Sequence, residues 1–204
     1  MLKLGTLSAL FLSLFIGNDN LSTIENYLAS PSKTEASKAV AGEVIDDFSD
    51  EAKIYNWWDS SSDNWTRKWD REKEILIVTC KNVGKDFDTF GKQFDPIDFT
   101  ATPALKVRMK YEGETAPKVR IDIKDYDGKV TNAKPIIKTL AAGDFKDYYY
   151  NFSGRFNQSW PDADAVDAVE IVELLVFINP GAADFSGTLY LDSIEAIPAS
   201  ECKE

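Results

Sequence analysis

From about residue 43 to residue 199 the hydrophobic positions recur with period two, the spacing of strands whose successive side chains point to opposite sides of a sheet. The clearest case is 104–111, where Leu105, Val107, Met109 and Tyr111 alternate with Lys106, Arg108 and Lys110. Val119, Ile121 and Ile123 repeat the pattern against Lys118, Arg120, Asp122 and Lys124. Further strands are predicted over 44–48, 53–58, 65–69, 74–80, 87–94, 129–138 and 145–152, with turns at 95–98 and Asp127-Gly128 and loops over 59–64 and 153–167. No window sustains a 3.6-residue apolar period.

The closing stretch, 169–198, reads as a hairpin. Its first arm, 169–178, is apolar on both alternating faces apart from Glu170 and Glu173, the mark of a strand covered on both sides in the middle of a sandwich. Asn179-Pro180-Gly181 ends that arm, because proline has no N–H for the ladder and glycine tolerates positive φ. The second arm, 187–197, sets Leu189, Leu191 and Ser193 against Tyr190, Asp192 and Ile194. An aspartate in the middle of a β-rich arm is the odd residue. About ten or eleven strands with turn signals every 8–12 residues predict an all-β chain folded as an antiparallel β-sandwich.

Composition narrows what such a sandwich can do. The 204 residues suffice for one domain with a real core. A net charge of −11 argues against nucleic acid or an anionic membrane surface as partner. The chain has no histidine, which excludes Ser-His-Asp and Cys-His catalysis and histidine-liganded zinc. Cys80 and Cys202 read as one buried thiol and one exposed tail thiol, with a single disulfide between them as the other reading. Lys3 followed by the apolar run 4–16 predicts a signal peptide over 1–17, too short for a bilayer span of about 20 residues. A Ser-, Ala- and Lys-rich linker or leader follows over 18–42, then the folded domain over 43–199 and a tail over 200–204. The product is expected outside the cytoplasm: secreted or extracellular, in the periplasm or at the cell surface.

Aromatic side chains are the first candidates for binding chemistry. Trp57, Trp58, Trp65 and Trp69 fall within one short stretch, and flat aromatic faces stack on the C–H faces of sugar rings. Trp57 and Trp58 must point to opposite faces of a strand, so at least one belongs to the core, while Trp65 and Trp69 share parity. Trp160 lies in a polar loop and is expected to be exposed. Lys106, Arg108, Lys110, Arg120, Asp122 and Lys124 would line one charged face if their strands are neighbours, with Arg120 and Asp122 at its centre and a bias toward an acidic polysaccharide. The plain alternative for that face is a solvated outer sheet. Glu173 needs a cation, and Arg108 or Arg120 are the candidates.

VIDDFSD near the start, the tryptophan-rich segment after it, FGKQFDPIDFTATPALKVRMK in the middle and GTLYLDSIEAI at the end together resemble the jelly-roll carbohydrate-binding modules with the galactose-binding-like fold, over about three quarters of the chain. The resemblance implies a jelly roll that binds a polysaccharide or oligosaccharide as a monomer, without catalysis and without inserting into a membrane. The ligand-binding candidates are then Trp57, Trp65, Trp69, Arg108, Arg120, Asp122 and Trp160. The resemblance also implies a structural calcium, held by Asp192 in the last strand and by Asp47 near the first, with Asp46 as the other choice. A structural or adhesive cell-surface sandwich is the alternative, and a small jelly-roll enzyme acting on glycosides is a further one.

Overall fold

The computed structural model describes residues 42–60, 63–84, 88–160 and 162–203. The expected signal peptide, and the leader up to residue 41, lie outside the described residues. The elements run β1 (Glu43–Asp46), α1 (Glu51–Ile54), β2 (Trp57–Asp59), β3 (Trp65–Asp70), β4 (Ile75–Val83), β5 (Thr89–Ile97), β6 (Ala104–Glu112), β7 (Lys118–Asp125), β8 (Ile136–Thr139), β9 (Lys146–Asn151), β10 (Ile171–Ile178) and β11 (Phe185–Ile197). They form two antiparallel sheets. The six-stranded sheet has the order β3-β4-β11-β6-β9, with β1 also pairing to β11; the five-stranded sheet has the order β2-β5-β10-β7-β8. This is the antiparallel β-sandwich the alternation predicted, with the jelly-roll arrangement the resemblance implied.

Among the described strands, β3–β4 and β7–β8 are the only sequence neighbours that pair with each other. Every other connection arches from one sheet to the other, and this overturns two expectations. The closing stretch is not a hairpin: β10 pairs with β5 and β7, while β11 pairs with β4, β6 and β1. Its turn is anchored elsewhere, since the Asn179 N–H donates to the Lys118 carbonyl (2.7 Å) and the Gly181 N–H to the Gly84 carbonyl (2.9 Å). Likewise β6 and β7 lie in different sheets, so the expected single charged face divides into two on opposite sides of the sandwich.

Local chemistry explains the smaller departures. The predicted strand over 53–58 survives only as Trp57 and Trp58 of β2; its start gives way to α1, because Asp50 caps a helical turn by accepting from the Ala52 N–H at 2.9 Å. The predicted strand over 129–138 shrinks to β8 plus a single bridge, Lys124 to Val130, with Pro135 just before the strand. In β11 the register shifts between Leu191 and Ser193. That bulge flips the parity beyond it, so Ile194 is buried with Leu189 and Leu191, and Asp192 and Ser193 are both left half-buried. The odd aspartate is the bulge residue.

Between the sheets pack Leu105, Val107 and Met109 of β6, Val119, Ile121 and Ile123 of β7, Leu174, Val176 and Ile178 of β10, and Leu189 and Leu191 of β11. One ion pair is enclosed with them. Lys92 Nζ of β5 lies 2.8 Å from Asp46 Oδ2 of β1, the two side chains being 2% and 0% exposed. The same ammonium donates to the Lys53 carbonyl (3.1 Å), and Asp46 also accepts from Trp57 Nε1 (2.9 Å) and the Phe48 N–H (2.9 Å). The pair therefore ties β1 of one sheet to β2 and β5 of the other. Both cysteines are free; Cys80 is buried, which pushes its thiol up to about 12, and Cys202 is half-buried.

Candidate functional site

Cross-strand register assembles the outer face of the five-stranded sheet. Trp58, Gly91, Leu175 and Asp122 stand side by side on β2, β5, β10 and β7. The row on one side of them is Gln93, Glu173 and Lys124; the row on the other is Thr89, Phe177, Arg120 and Ile137. With strands about 4.8 Å apart, the floor from Trp58 to Asp122 is about 14 Å wide.

Trp58 stands at the β2 edge of this floor and reaches across it. Its indole lies on Gly91: a Cβ added there would sit 2.7 Å from Cζ2 and 2.8 Å from Cε2. Only glycine admits that approach. Reaching on across β5, Trp58 Nε1 donates to Glu173 Oε1 at 2.6 Å. The other oxygen of Glu173 is ion-paired with Lys124 Nζ. Both carboxylate oxygens are thus engaged, which compensates the buried charge and fixes the plane of the indole. The expectation that Glu173 faces Arg108 or Arg120 is corrected; its cation is Lys124 on the adjacent strand. The face of β10 carrying Leu175 and Phe177 is also not covered by a further layer, as its sequence implied, but by Trp58 and by Arg120, whose guanidinium lies 5.0 Å from the Phe177 ring centroid.

Arg120 grips Asp122 through Nε (3.0 Å to Oδ1) and Nη2 (2.5 Å to Oδ2), and among the described residues Nη1 has no hydrogen-bond acceptor. Burial raises the Asp122 pKa, against the lowering pull of Arg120. The folded chain therefore takes up this proton more readily than the unfolded one. The ionised form costs stability above the raised pKa, and the cost vanishes as pH falls through it. Beside Glu173 and Lys124 the floor opens into a pocket of about 400 Å³, lined also by Gln93, Phe94, Pro96 and Tyr126.

The other expected site residues lie elsewhere. Trp57 and Trp65 are core residues, 3% and 5% exposed, and show solvent little ring surface. Trp69 is half-buried, its Nε1 donating to the Phe48 carbonyl at 2.8 Å. With Trp57, Tyr55 and the Arg67–Asp59 ion pair (3.0 Å), Trp65 and Trp69 border a pocket where the β2 and β3 edges meet. Arg108 is on the opposite side of the molecule, neutralised by Asp147 (3.3 Å) and Asp192 (3.1 Å). Lys106 and Lys110 there meet Glu195 and Glu112. Trp160, 57% exposed, rides a loop tied beside β7 by a hydrogen bond from the Ser159 N–H to Asn132 Oδ1 (2.7 Å). So the structure brings together Arg120, Asp122 and Lys124 as expected, sets the candidate Glu173 beside them, and adds Trp58 and Phe177. Two signals pointed to that floor: the Trp57/Trp58 parity choice, and a glycine inside a strand, which marks close approach.

The proposed calcium ligands do not form a cage. Asp192 faces the Arg108 guanidinium, while Asp47 accepts from the Ser49 hydroxyl (2.7 Å) and stands 3.8 Å from Lys53 Nζ. Asp46, the other choice, holds the Lys92 ammonium where a cation would sit. Calcium takes about six to eight oxygens, and among the described residues no group of three or more acidic, cysteine or histidine side chains gathers as metal ligands. Melting in EDTA is accordingly expected to match melting in calcium; a fall of several degrees in EDTA would show a bound ion.

No protein-family model matches the chain, and no curated protein matches its sequence. Solved structures share its fold. The family 11 carbohydrate-binding module of a cellulosomal cellulase of Clostridium thermocellum superposes with a TM-score of 0.54 at 14% identity, over 79% of this chain and 96% of that one. The family 11 module from the same organism, solved in complex with a β-1,3-1,4-mixed-linked tetrasaccharide, gives 0.54 at 16% identity, over 79% and 98%. An agarase gives 0.57 at 13% identity over 78% of this chain, which spans only 25% of that protein. These likenesses establish the jelly-roll fold.

Proposed function

We propose that this domain is a non-catalytic glycan-binding module whose binding surface is the outer face of the five-stranded sheet, and that its ligand there is a neutral polysaccharide or oligosaccharide. The observation that carries the reading is the Trp58 indole, laid on Gly91 and locked by Glu173. A flat aromatic held rigidly offers a sugar C–H face roughly 1 kcal/mol per stacked ring without an ordering cost. Arg120, Gln93 and Thr89 around it supply donors and acceptors for hydroxyl groups. A solved module of this fold is in complex with a mixed-linked tetrasaccharide, which supports the same use here.

Charge favours a neutral ligand on this face over the acidic one that a single basic row suggested. The row is divided between the sheets, and the two central cations are each committed to a carboxylate, Arg120 to Asp122 and Lys124 to Glu173. Lys118 stands exposed beyond them at the start of β7. A polyanion would have to compete with buried carboxylates for these partners. The same commitments speak against glycoside hydrolysis, which needs one carboxyl as proton donor and another as nucleophile or base. Such a module works as a monomer outside the cell, the destination the signal peptide implies; among the described residues no helix is long and apolar enough to cross a membrane.

Electrophoresis through gels containing mixed-linkage β-glucan, xylan or agarose tests the proposal. Retardation by at least one neutral glycan is expected, with no release of reducing ends. Unretarded migration in all of them would leave the face without a glycan role.

A further inference from the structure

At the edge opposite Trp57 and Trp65, β8 of one sheet meets β9 of the other, and the C-terminal residues fold over the seam. There lies a cavity of about 480 Å³, lined by Ile136, Lys138, Tyr149, Asn151, Ser153, Arg155, Ala199, Cys202 and Lys203. Among the described residues, three of those lining it are cations and none is an acid, in a chain whose net charge is −11. Lys106, Arg108, Lys110, Arg120 and Lys124 each meet a carboxylate. Lys138, Arg155 and Lys203 meet none among the described residues.

These groups reach the recess from both sides of the β8–β9 edge: Tyr149 and Asn151 share the outward parity of Lys106 and Ala104, and Lys138 comes from the inner side. Lys138 pairs in register with Val119, a core position, so it projects toward the space between the sheets rather than outward. Its charge is felt at the Cys202 thiol, whose pKa burial raises and Lys138 lowers. Arg155 Nη1 donates to the Lys134 carbonyl at 3.1 Å, which fixes the guanidinium and leaves its other donors unassigned. The Ser153 hydroxyl, the Asn151 amide and the Tyr149 hydroxyl add neutral donors. Convergent guanidinium, ammonium and hydroxyl donors in a recess suit an oxyanion, which accepts several charge-assisted hydrogen bonds at once.

We propose that this β8–β9 cavity is a second binding site, separate from the Trp58 face, that takes a sulfate or carboxylate group. The group is either a free ion or a substituent on a sugar.

The test uses the full chain and a Lys138→Gln, Arg155→Gln double variant, both half-buried positions at which glutamine keeps bulk and polarity. Melting is followed in sodium sulfate and sodium glucuronate against sodium chloride of equal ionic strength, since a ligand that binds only the folded state raises Tm. Mobility is followed in gels containing a sulfated or uronate polysaccharide. Expected for the wild type is a Tm rise in at least one oxyanion beyond that in chloride, absent in the double variant. Retardation by the acidic polysaccharide that falls on the order of tenfold in the variant identifies a sugar-borne group. A Tm rise without retardation identifies the free ion. Identical melting in oxyanion and chloride, together with unretarded migration, would overturn the site, as would a double variant that responds like the wild type. None of these readings uses a neutral glycan, so this site and the Trp58 face fail or stand separately.

Discussion

Replacing Lys92 with methionine is expected to destabilise the domain by about 3–5 kcal/mol, a large share of the roughly 5–15 kcal/mol that holds a domain together. Methionine fills much of the same volume, so packing is nearly kept and the loss is electrostatic. Asp46, 0% exposed, would be left with the Trp57 indole and one backbone N–H as its donors and no cation. At about 2–4 °C per kcal/mol for a chain of this size, Tm should fall by roughly 10 °C. The companion Lys92→Met, Asp46→Asn variant removes both charges and should recover part of the loss, because a buried pair exchanged whole costs less than a pair broken. Thermal and urea melts of the three proteins measure it. A Lys92→Met protein melting within a degree or two of wild type would mean the pair contributes nothing.

The second large effect is on binding. Trp58→Ala should weaken retention on a neutral glycan by roughly 30-fold or more, the scale of a central aromatic anchor worth about 2 kcal/mol or above. Stability should change little by comparison, since Trp58 lies on the outer face and not between the sheets. Glu173→Ala probes the support and not the platform. It leaves the ring in place but frees it from its anchor, so affinity should drop by less than in Trp58→Ala. Gly91→Ala should act in the same direction by pushing the indole off the sheet, its Cβ falling 2.5 Å from the Leu174 carbonyl oxygen as well. Undiminished retention by a folded Trp58→Ala protein would remove this face as the binding surface.

How much of this was legible beforehand differs by level. Alternation gave β6 and β7 their inward and outward residues correctly, because a strand's parity is local. What parity cannot show is which sheet a strand joins. Lys106–Lys110 and Lys118–Lys124 look like neighbours on one face and lie on opposite ones, since the loop between them arches across the sandwich. A bulge is equally invisible: one extra residue at Asp192 reversed the face assigned to Ile194. The tryptophan cluster was noticed, but composition could not rank its members. Trp57 and Trp65 lie in the core, while Trp58 takes the outer face with Gly91 opposite it. Long-range partners such as Glu173–Lys124 and Asp46–Lys92 depend on the register of strands far apart in sequence.

The arched connections also bear on how the chain can be made. β11 is the strand on which the six-stranded sheet is assembled, flanked by β4 and β1 on one side and β6 on the other. It is also the last strand of the sandwich in chain order. On a ribosome, β1, β4 and β6 must therefore wait without their β11 partner until residues 185–197 have left the exit tunnel. Pairings between the chain's two ends are slow to form, and unpaired strand edges are the segments that invite aggregation. Shielding those edges until β11 arrives is then the main demand this topology places on the cell that makes it.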